Sequence, residues 1–114
     1  MSIFSGDELA AMGATVEHYM PDDGSGVYIK KTSMLTGARL PMHEHTYTHK
    51  SVLASGRAVL RKGVSEIPLA APAIITIGRG EAHEVEAVTE CVWLCIHASN
   101  ETDSSKIDNT LVSP

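Results

Sequence analysis

The chain has 114 residues, of which 43% are hydrophobic and 20% charged, and its formal net charge is −5 at pH 7. This length suits one domain with one core, and the composition is that of a folded protein and not of a disordered one. No apolar run reaches the roughly 20 residues of a membrane span, and no cluster of Lys and Arg offers a surface for nucleic acid or an anionic membrane. We therefore expect one domain over residues 1–114 and neither nucleic acid nor a membrane as its partner.

The N-terminal segment predicts a short helix. Ser5-Gly-Asp-Glu8 has the form of a capping box, and it is followed by Leu9-Ala-Ala-Met12 and then by Gly13 as a stop. The segment lacks the basic end and apolar centre of a signal peptide. We therefore expect a cytoplasmic protein.

The region from about residue 14 to residue 98 predicts an all-β core. Short β-branched or apolar runs alternate with turn residues, and about eight strands at intervals of about 8 to 12 residues are typical of a β-sandwich or barrel. In the run from His83 to Ala87 the alternation predicts that the odd positions face inward and both glutamates face water. Residues 99–114 are polar, and we expect this tail to be loosely packed or to lie against a partner subunit.

Residues 43–50 read HEHTYTHK and hold three of the six histidines of the chain. On a helix, His45 and His49 would share a face while His43 would point elsewhere. On a strand, His43 and His45 share one face and are close enough to bind one ion. Pro41 and the β-branched neighbours of the cluster favour the strand.

A third histidine reaches the same ion only if the chain bends. His49 lies four positions after His45, so we predict a strand, a bend in Thr46-Tyr47-Thr48 and a second strand. His83, which follows Gly78-Arg-Gly80 and enters the next strand, is the fourth candidate ligand. Neutral imidazoles suit one divalent transition metal, such as Zn, Fe, Ni, Mn or Cu, better than Mg or Ca.

Other side chains near the cluster are candidates for substrate binding or catalysis. Strand parity predicts that Arg39 lies on the side of the first two clustered histidines, where it would hold a carboxylate; the alternative is a solvated arginine. Tyr47, in the predicted bend, is a candidate acid or hydrogen-bond donor, and the alternative is packing over the barrel mouth. His18 and His97 are interpreted as structural.

The two cysteines lie in one predicted strand, CVWLCIH. Cys91 and Cys95 would be about 13 Å apart along a strand, and a disulfide requires Cα atoms within about 7 Å. We predict two buried, reduced thiols, which fits a reducing compartment.

The segment GARLPMHEHTYTHKSVLASG contains five positions in a regular spacing. Gly37 is followed by five residues and His43, by one residue and His45, by three residues and His49, and by six residues and Gly56. This pattern resembles the first signature of the cupin family, with histidine at position 49 where the family usually has glutamate.

A second segment, PAIITIGRGEAHEVEA, resembles the second cupin signature less closely. Gly80 and His83 agree with that signature, whereas Pro72, Gly78 and Ala87 depart from it. The loss of the loop proline at position 78 predicts a more flexible turn before the histidine.

The resemblance covers about residues 30 to 97 and implies a small double-stranded β-helix, or jelly roll, whose mouth holds one divalent metal. It also implies a homodimer, since pairing covers the exposed edge strands of such a fold. It does not identify a reaction, because the family includes dioxygenases, isomerases, lyases and non-catalytic binding proteins.

Two functions follow from this resemblance. The first is a metal-dependent enzyme of dioxygenase, isomerase or lyase type, acting on a small polar, carboxylated or sugar-like molecule. Its metal is bound by His43, His45 and His83, with His49 either as a fourth ligand or beside the metal. The second is a non-enzymatic, metal-stabilised binding or sensing module. The two differ at His49: four imidazoles close a tetrahedral site, whereas three leave a position for substrate.

Overall fold

The structure is a computed structural model that describes residues 13–43 and 48–98, and of residues 41–43 the backbone alone. The predicted N-terminal helix and the polar tail lie outside this part of the chain. Within it, no helix is long and apolar enough to cross a membrane. The regular elements are a 3-10 helix at Pro21–Asp23 and nine strands: β1 Ala14–Tyr19, β2 Val27–Met34, β3 Arg39–His43, β4 His49–Ser55, β5 Arg57–Lys62, β6 Ser65–Ala70, β7 Ala73–Ile77, β8 His83–Ala87 and β9 Cys91–Ala98.

The strands form two antiparallel sheets, which confirms the all-β prediction. The first sheet has five strands in the order β1-β2-β9-β4-β7, and the second has four in the order β3-β8-β5-β6. Strands that follow each other in the chain, such as β3 and β4 or β7 and β8, belong to different sheets. The chain therefore crosses repeatedly between the sheets, as a jelly roll requires.

Strand β8 has the predicted alternation. His83, Val85 and Ala87 are buried, whereas Glu84 and Glu86 are partly exposed on the outer face. The same alternation holds along β9, and the inward side chains of both sheets meet in one core. The fully buried members of this core with the largest apolar side chains are Trp93, Leu53, Leu60, Ile77 and Val85.

The inner face of the five-stranded sheet is apolar at one end of its strands and polar at the other. Cys91 and Trp93 lie at the apolar end of β9, whereas His97 lies at the other end. Tyr28 of β2 is the ladder partner of His97, and His49 of β4 directly precedes Lys50, which pairs with Ile96 of β9. All three of these residues are buried, so the barrel interior ends in a row of polar rings.

The histidine-rich segment crosses from one sheet to the other. Strand β3 pairs with β8 through Leu40 opposite Val85 and His43 opposite His83, with a register shift between the two pairs. Strand β4 then begins at His49 in the five-stranded sheet. The two predicted strands are thus confirmed, whereas the predicted bend in Thr46-Tyr47-Thr48 lies, except for Thr48, outside the described part.

Cys91 and Cys95 are not joined by a disulfide, and both are buried, as predicted. Burial raises the pKa of the Cys91 thiol, because a thiolate is poorly solvated in the core. Both side chains belong to the packed interior.

Candidate metal centre

The imidazole of His83 is buried and held in one tautomer. Its exposed fraction is 1%, and burial lowers its pKa, so the ring is neutral. Its Nδ1 lies 3.1 Å from the backbone carbonyl oxygen of Glu81. Because a carbonyl oxygen only accepts, Nδ1 carries the proton and donates it, and the lone pair is on Nε2. Metal-binding histidines are typically fixed in this way through their second nitrogen.

The imidazole of His49 is fixed by its own sheet. Its exposed fraction is 5%, and its Nε2 lies 3.3 Å from the hydroxyl oxygen of Ser51. That hydroxyl donates its proton to the sulfur of Cys95 at 3.6 Å. A hydroxyl has a single proton, so Nε2–H of His49 donates to Ser51 and the lone pair is on Nδ1.

A row of rings extends from His49 toward the surface. The rings of His49 and His97 stack with centroids 4.4 Å apart, and those of His97 and Tyr28 with centroids 6.0 Å apart. The Tyr28 hydroxyl shares a hydrogen bond of 2.7 Å with Nδ1 of the exposed His18. His97 was interpreted as structural, and its contact with a candidate ligand was missed. Its parity with Trp93 on the same strand was the available signal.

The separation of His49 and His83 limits how they share an ion. Their ring centroids are 6.4 Å apart and the rings are tilted by 53°. With bonds of about 2.0–2.1 Å, an imidazole centroid lies about 3.2 Å from its ion, so two rings on one tetrahedral ion are about 5.2 Å apart. The distance between the two ring centroids is therefore larger than the distance expected for two imidazoles on one tetrahedral ion.

The remaining predicted metal ligands are only partly within the described structure. The backbone of His43 lies opposite His83 in the β3–β8 ladder, while His45 lies outside the described residues, as does Tyr47. Among the side chains that are described, no group of three His, Cys, Asp or Glu residues is arranged to hold a metal. The structure thus brings His49 and His83 to the same end of the interior.

Arg39 lies on the outer face of the four-stranded sheet. Its side chain is 55% exposed, and its guanidinium lies 3.6 Å from a carboxylate oxygen of Glu84 and 3.6 Å from one of Glu86. The parity argument that put Arg39 beside the histidines assumed a regular strand, and the register shift between Leu40 and His43 interrupts that regularity.

Two lysines occupy inner-face positions instead. Lys62 is the ladder partner of His83, and Lys30 is the ladder partner of the buried Cys95. Cross-strand partners share one face of a sheet. Among the described strand residues, no Asp or Glu occupies an inner-face position. Glu81, on the loop before β8, lies 3.1 Å from Nζ of Lys62.

Comparison with known proteins identifies the fold. No protein-family model and no curated protein matches this sequence. A cupin-2 domain from Rhodospirillum rubrum superposes with a TM-score of 0.68 at 18% identity, covering 81% of this chain and 63% of that one. A cupin 2 domain-containing protein from Halorhodospira halophila gives 0.67 at 17% identity, with coverage of 86% and 76%. Oxalate oxidase in complex with glycolate gives 0.65 at 19% identity, with coverage of 80% and 53%.

The chain therefore has the fold of a small cupin, as the first signature predicted. It spans about half the length of the oxalate oxidase chain that it matches, 53%. Identities of 17% to 19% establish the fold alone, and the function must be argued from the site.

Proposed function

We propose that this chain is a metal-dependent enzyme that acts on a small carboxylated molecule at the histidine-lined end of the barrel. In this proposal His43, His45 and His83 bind one divalent transition metal. The observation that carries the proposal is the buried, neutral His83, whose Nδ1–H donates to a backbone carbonyl at 3.1 Å and whose Nε2 keeps its lone pair. The ladder position of His43 opposite His83 supports a shared ion.

His49 has a different role in this proposal. The 6.4 Å between its ring and that of His83 favours a side chain beside the ion over a fourth tetrahedral ligand. The ion then keeps open positions for substrate. When bound there, such an ion supplies Lewis acidity and lowers the pKa of a bound water. The lone pair on Nδ1 of His49 suits it to accept a proton from the substrate or from water.

The charge of the interior supports an anionic substrate. Lys30 and Lys62 share the inner face with the histidines, although the chain as a whole has a formal net charge of −5. A cationic lining inside an acidic protein concentrates small anions at that lining. The structural similarity to oxalate oxidase in complex with glycolate points to the same substrate class. Arg39 lies on the outer face of its sheet, beside Glu84 and Glu86, whereas both lysines occupy inner-face positions, so the lysines are closer than Arg39 to the proposed site.

The apolar end of the barrel closes the site from below. Leu60, Val85 and Trp93 are fully or almost fully buried, so the interior next to the histidines is apolar. An apolar surface beside the site lowers the local dielectric constant, which strengthens the interaction between a cation and a bound carboxylate. Tyr47 remains a predicted acid or hydrogen-bond donor at the mouth.

The predicted homodimer is part of this proposal. Strands β3 and β6 are the edges of the four-stranded sheet, and β1 and β7 are the edges of the other. The side chains of Val64 and Ile74 are exposed close to β6 and on β7. Pairing of such edges in a symmetric dimer would cover them, and light scattering coupled to size exclusion measures the resulting mass.

Turnover of small carboxylates tests the proposed function. The protein is loaded separately with Fe(II), Mn(II) and Zn(II) and incubated with glycolate, oxalate and related mono- and dicarboxylates. We expect turnover of at least one acid with one metal, loss of that turnover in His83→Gln, and retention in His18→Gln, since His18 is exposed and hydrogen-bonded to Tyr28. Metal-loaded protein that binds ligands without converting any of them would support the sensing module instead.

A further inference from the structure

The loop between β7 and β8 is clamped by a single side chain. Glu81 donates its backbone N–H to the carbonyl oxygen of Gly78 at 3.0 Å, and its carboxylate accepts the N–H of Gly78 at 3.3 Å. The same carboxylate oxygen lies 3.1 Å from Nζ of Lys62. The turn is therefore closed twice and is anchored to a lysine on β5.

The backbone carbonyl of Glu81 also contacts His83. Its carbonyl oxygen accepts the Nδ1–H of His83 at 3.1 Å. The direction of this carbonyl depends on the conformation of the turn, and the turn depends on the Glu81 carboxylate. The contacts of the Glu81 carboxylate therefore set the direction of the Glu81 carbonyl, and this carbonyl orients the ring of His83.

Lys62 connects the turn at Glu81 to both sheets. It lies opposite His83 in the β5–β8 ladder, and its Nζ also donates to the carbonyl oxygen of Thr76 on β7 at 3.2 Å. Its side chain is 22% exposed. Lys62 thus connects the Glu81 carboxylate of the turn to β5 and to β7.

We propose that Glu81, held by Lys62, is the positioning residue of His83: it fixes the Nδ1–H tautomer and so directs the Nε2 lone pair toward the metal. The consequence for the metal rests on the proposed function, whereas the consequence for the tautomer does not. A partly exposed ion pair contributes little to folding stability, so its removal should disturb the orientation of His83 more than the stability of the fold.

The test uses Glu81→Ala and Lys62→Met, with Glu66→Ala as the matched control. Glu66 also forms an exposed ion pair, 3.2 Å from Nε of Arg61, but on the outer face of the sheet. Nitrogen-15 NMR of metal-free protein reports the tautomer of His83. We expect a single Nδ1–H tautomer in the parent and in Glu66→Ala, and a mixture in the other two variants. Lys62→Arg, which keeps a cation and its donors, should restore much of the single tautomer.

Zinc affinity, measured by competition with a chromophoric chelator, provides the second readout. We expect a loss of about 10-fold in Glu81→Ala and Lys62→Met, as is typical when a partner of a metal-binding histidine is removed. An unchanged tautomer in both variants would overturn the proposal. Failure of the parent to bind zinc would count against the proposed function alone, because the tautomer is measured without metal.

Discussion

The imidazole of His49 stacks on that of His97, with ring centroids 4.4 Å apart and an angle of 27° between the planes. Both residues belong to the five-stranded sheet, whereas His83 belongs to the other. The ring of His49 is therefore held by its own sheet, through His97 and through Ser51. This packing separates the proposed ligand His83 from the proposed acid–base group His49.

The separate roles of these two histidines lead to the first prediction. His83→Ala should lose most of the bound metal, whereas His49→Ala should retain it, because His49 is not among the three proposed ligands. Elemental analysis of both variants after dialysis measures the difference. Turnover should fall in both. Loss of metal from His49→Ala to the same extent as from His83→Ala would make His49 a ligand.

The packing around Gly56 leads to a prediction on stability. Gly56 has a φ of +81°, and a Cβ at this position would lie 2.1 Å from the carbonyl oxygen of Glu90. Gly37 has a similar φ of +85°, but a Cβ there would meet nothing within 4 Å. Alanine at either position has the cost of a left-handed conformation, about 1–2 kcal/mol. Gly56→Ala should lose about 1–3 kcal/mol more, because the neighbouring backbone must move.

Denaturant unfolding of the two glycine variants measures this difference. The parent and Gly37→Ala should unfold with the same slope, so that the midpoints report stability. Equal midpoints for Gly37→Ala and Gly56→Ala would contradict the close contact between the β4–β5 turn and the backbone of Glu90.

The packing of the core leads to a prediction about stability that compares a buried leucine with an exposed one. Leu60 is fully buried between the sheets, whereas Leu35 is 59% exposed. Leu60→Ala should cost about 2–5 kcal/mol of unfolding free energy, through lost burial and the cavity that remains. Leu35→Ala should change it by no more than about 0.5 kcal/mol. Thermal unfolding compares the two, and similar losses would contradict the sandwich packing.

The burial of His83 predicts a pH dependence of the metal-free protein. Burial lowers the pKa of His83 below its ordinary value of 6.5. The unfolded chain therefore takes up this proton more readily than the folded one, so the stabilisation is complete above about pH 6.5 and is lost as the pH falls toward the folded pKa. Relative to His83→Gln, the parent should lose at most about 1.4 kcal/mol per pH unit in that window.

Chemical denaturation at a series of pH values between about 7.5 and 5 provides this comparison. The variant removes the titrating group, so the difference between the two curves isolates His83 from the other histidines. A difference that stays constant, or that grows in favour of the parent on acidification, would contradict the burial of a neutral ring.

Local periodicity allowed much of the fold to be predicted. The alternation of His83, Val85 and Ala87 with two glutamates depends only on the period of a strand, and the structure follows it. The separation of Cys91 and Cys95 depends on the same period, and the two residues form no disulfide with each other. The two strands on either side of residues 44–47 were predicted because β-branched residues and Pro41 oppose a helix.

The parts that could not be predicted depend on contacts between distant strands. The side on which Arg39 lies relative to the histidines depends on the register shift in β3. Pro41 lies within that shift, but a proline is typical of an edge strand as well as of a bulge and does not fix the register. The contact of His97 with His49 exists only because β9 lies between β2 and β4 in the sheet. Lys62 faces His83 because β5 pairs with β8 in one particular register, and register is fixed by the whole sheet.

The central claim is that His83 contributes to a metal site with open coordination positions at the mouth of this barrel. Titration of the metal-free protein with Co(II), followed by visible absorption, tests it most directly. We expect one ion per chain, the weak absorption of a five- or six-coordinate centre, and no binding at the same concentrations by His83→Ala. Intense tetrahedral absorption that persists without added ligand, or equal binding by His83→Ala, would contradict the claim.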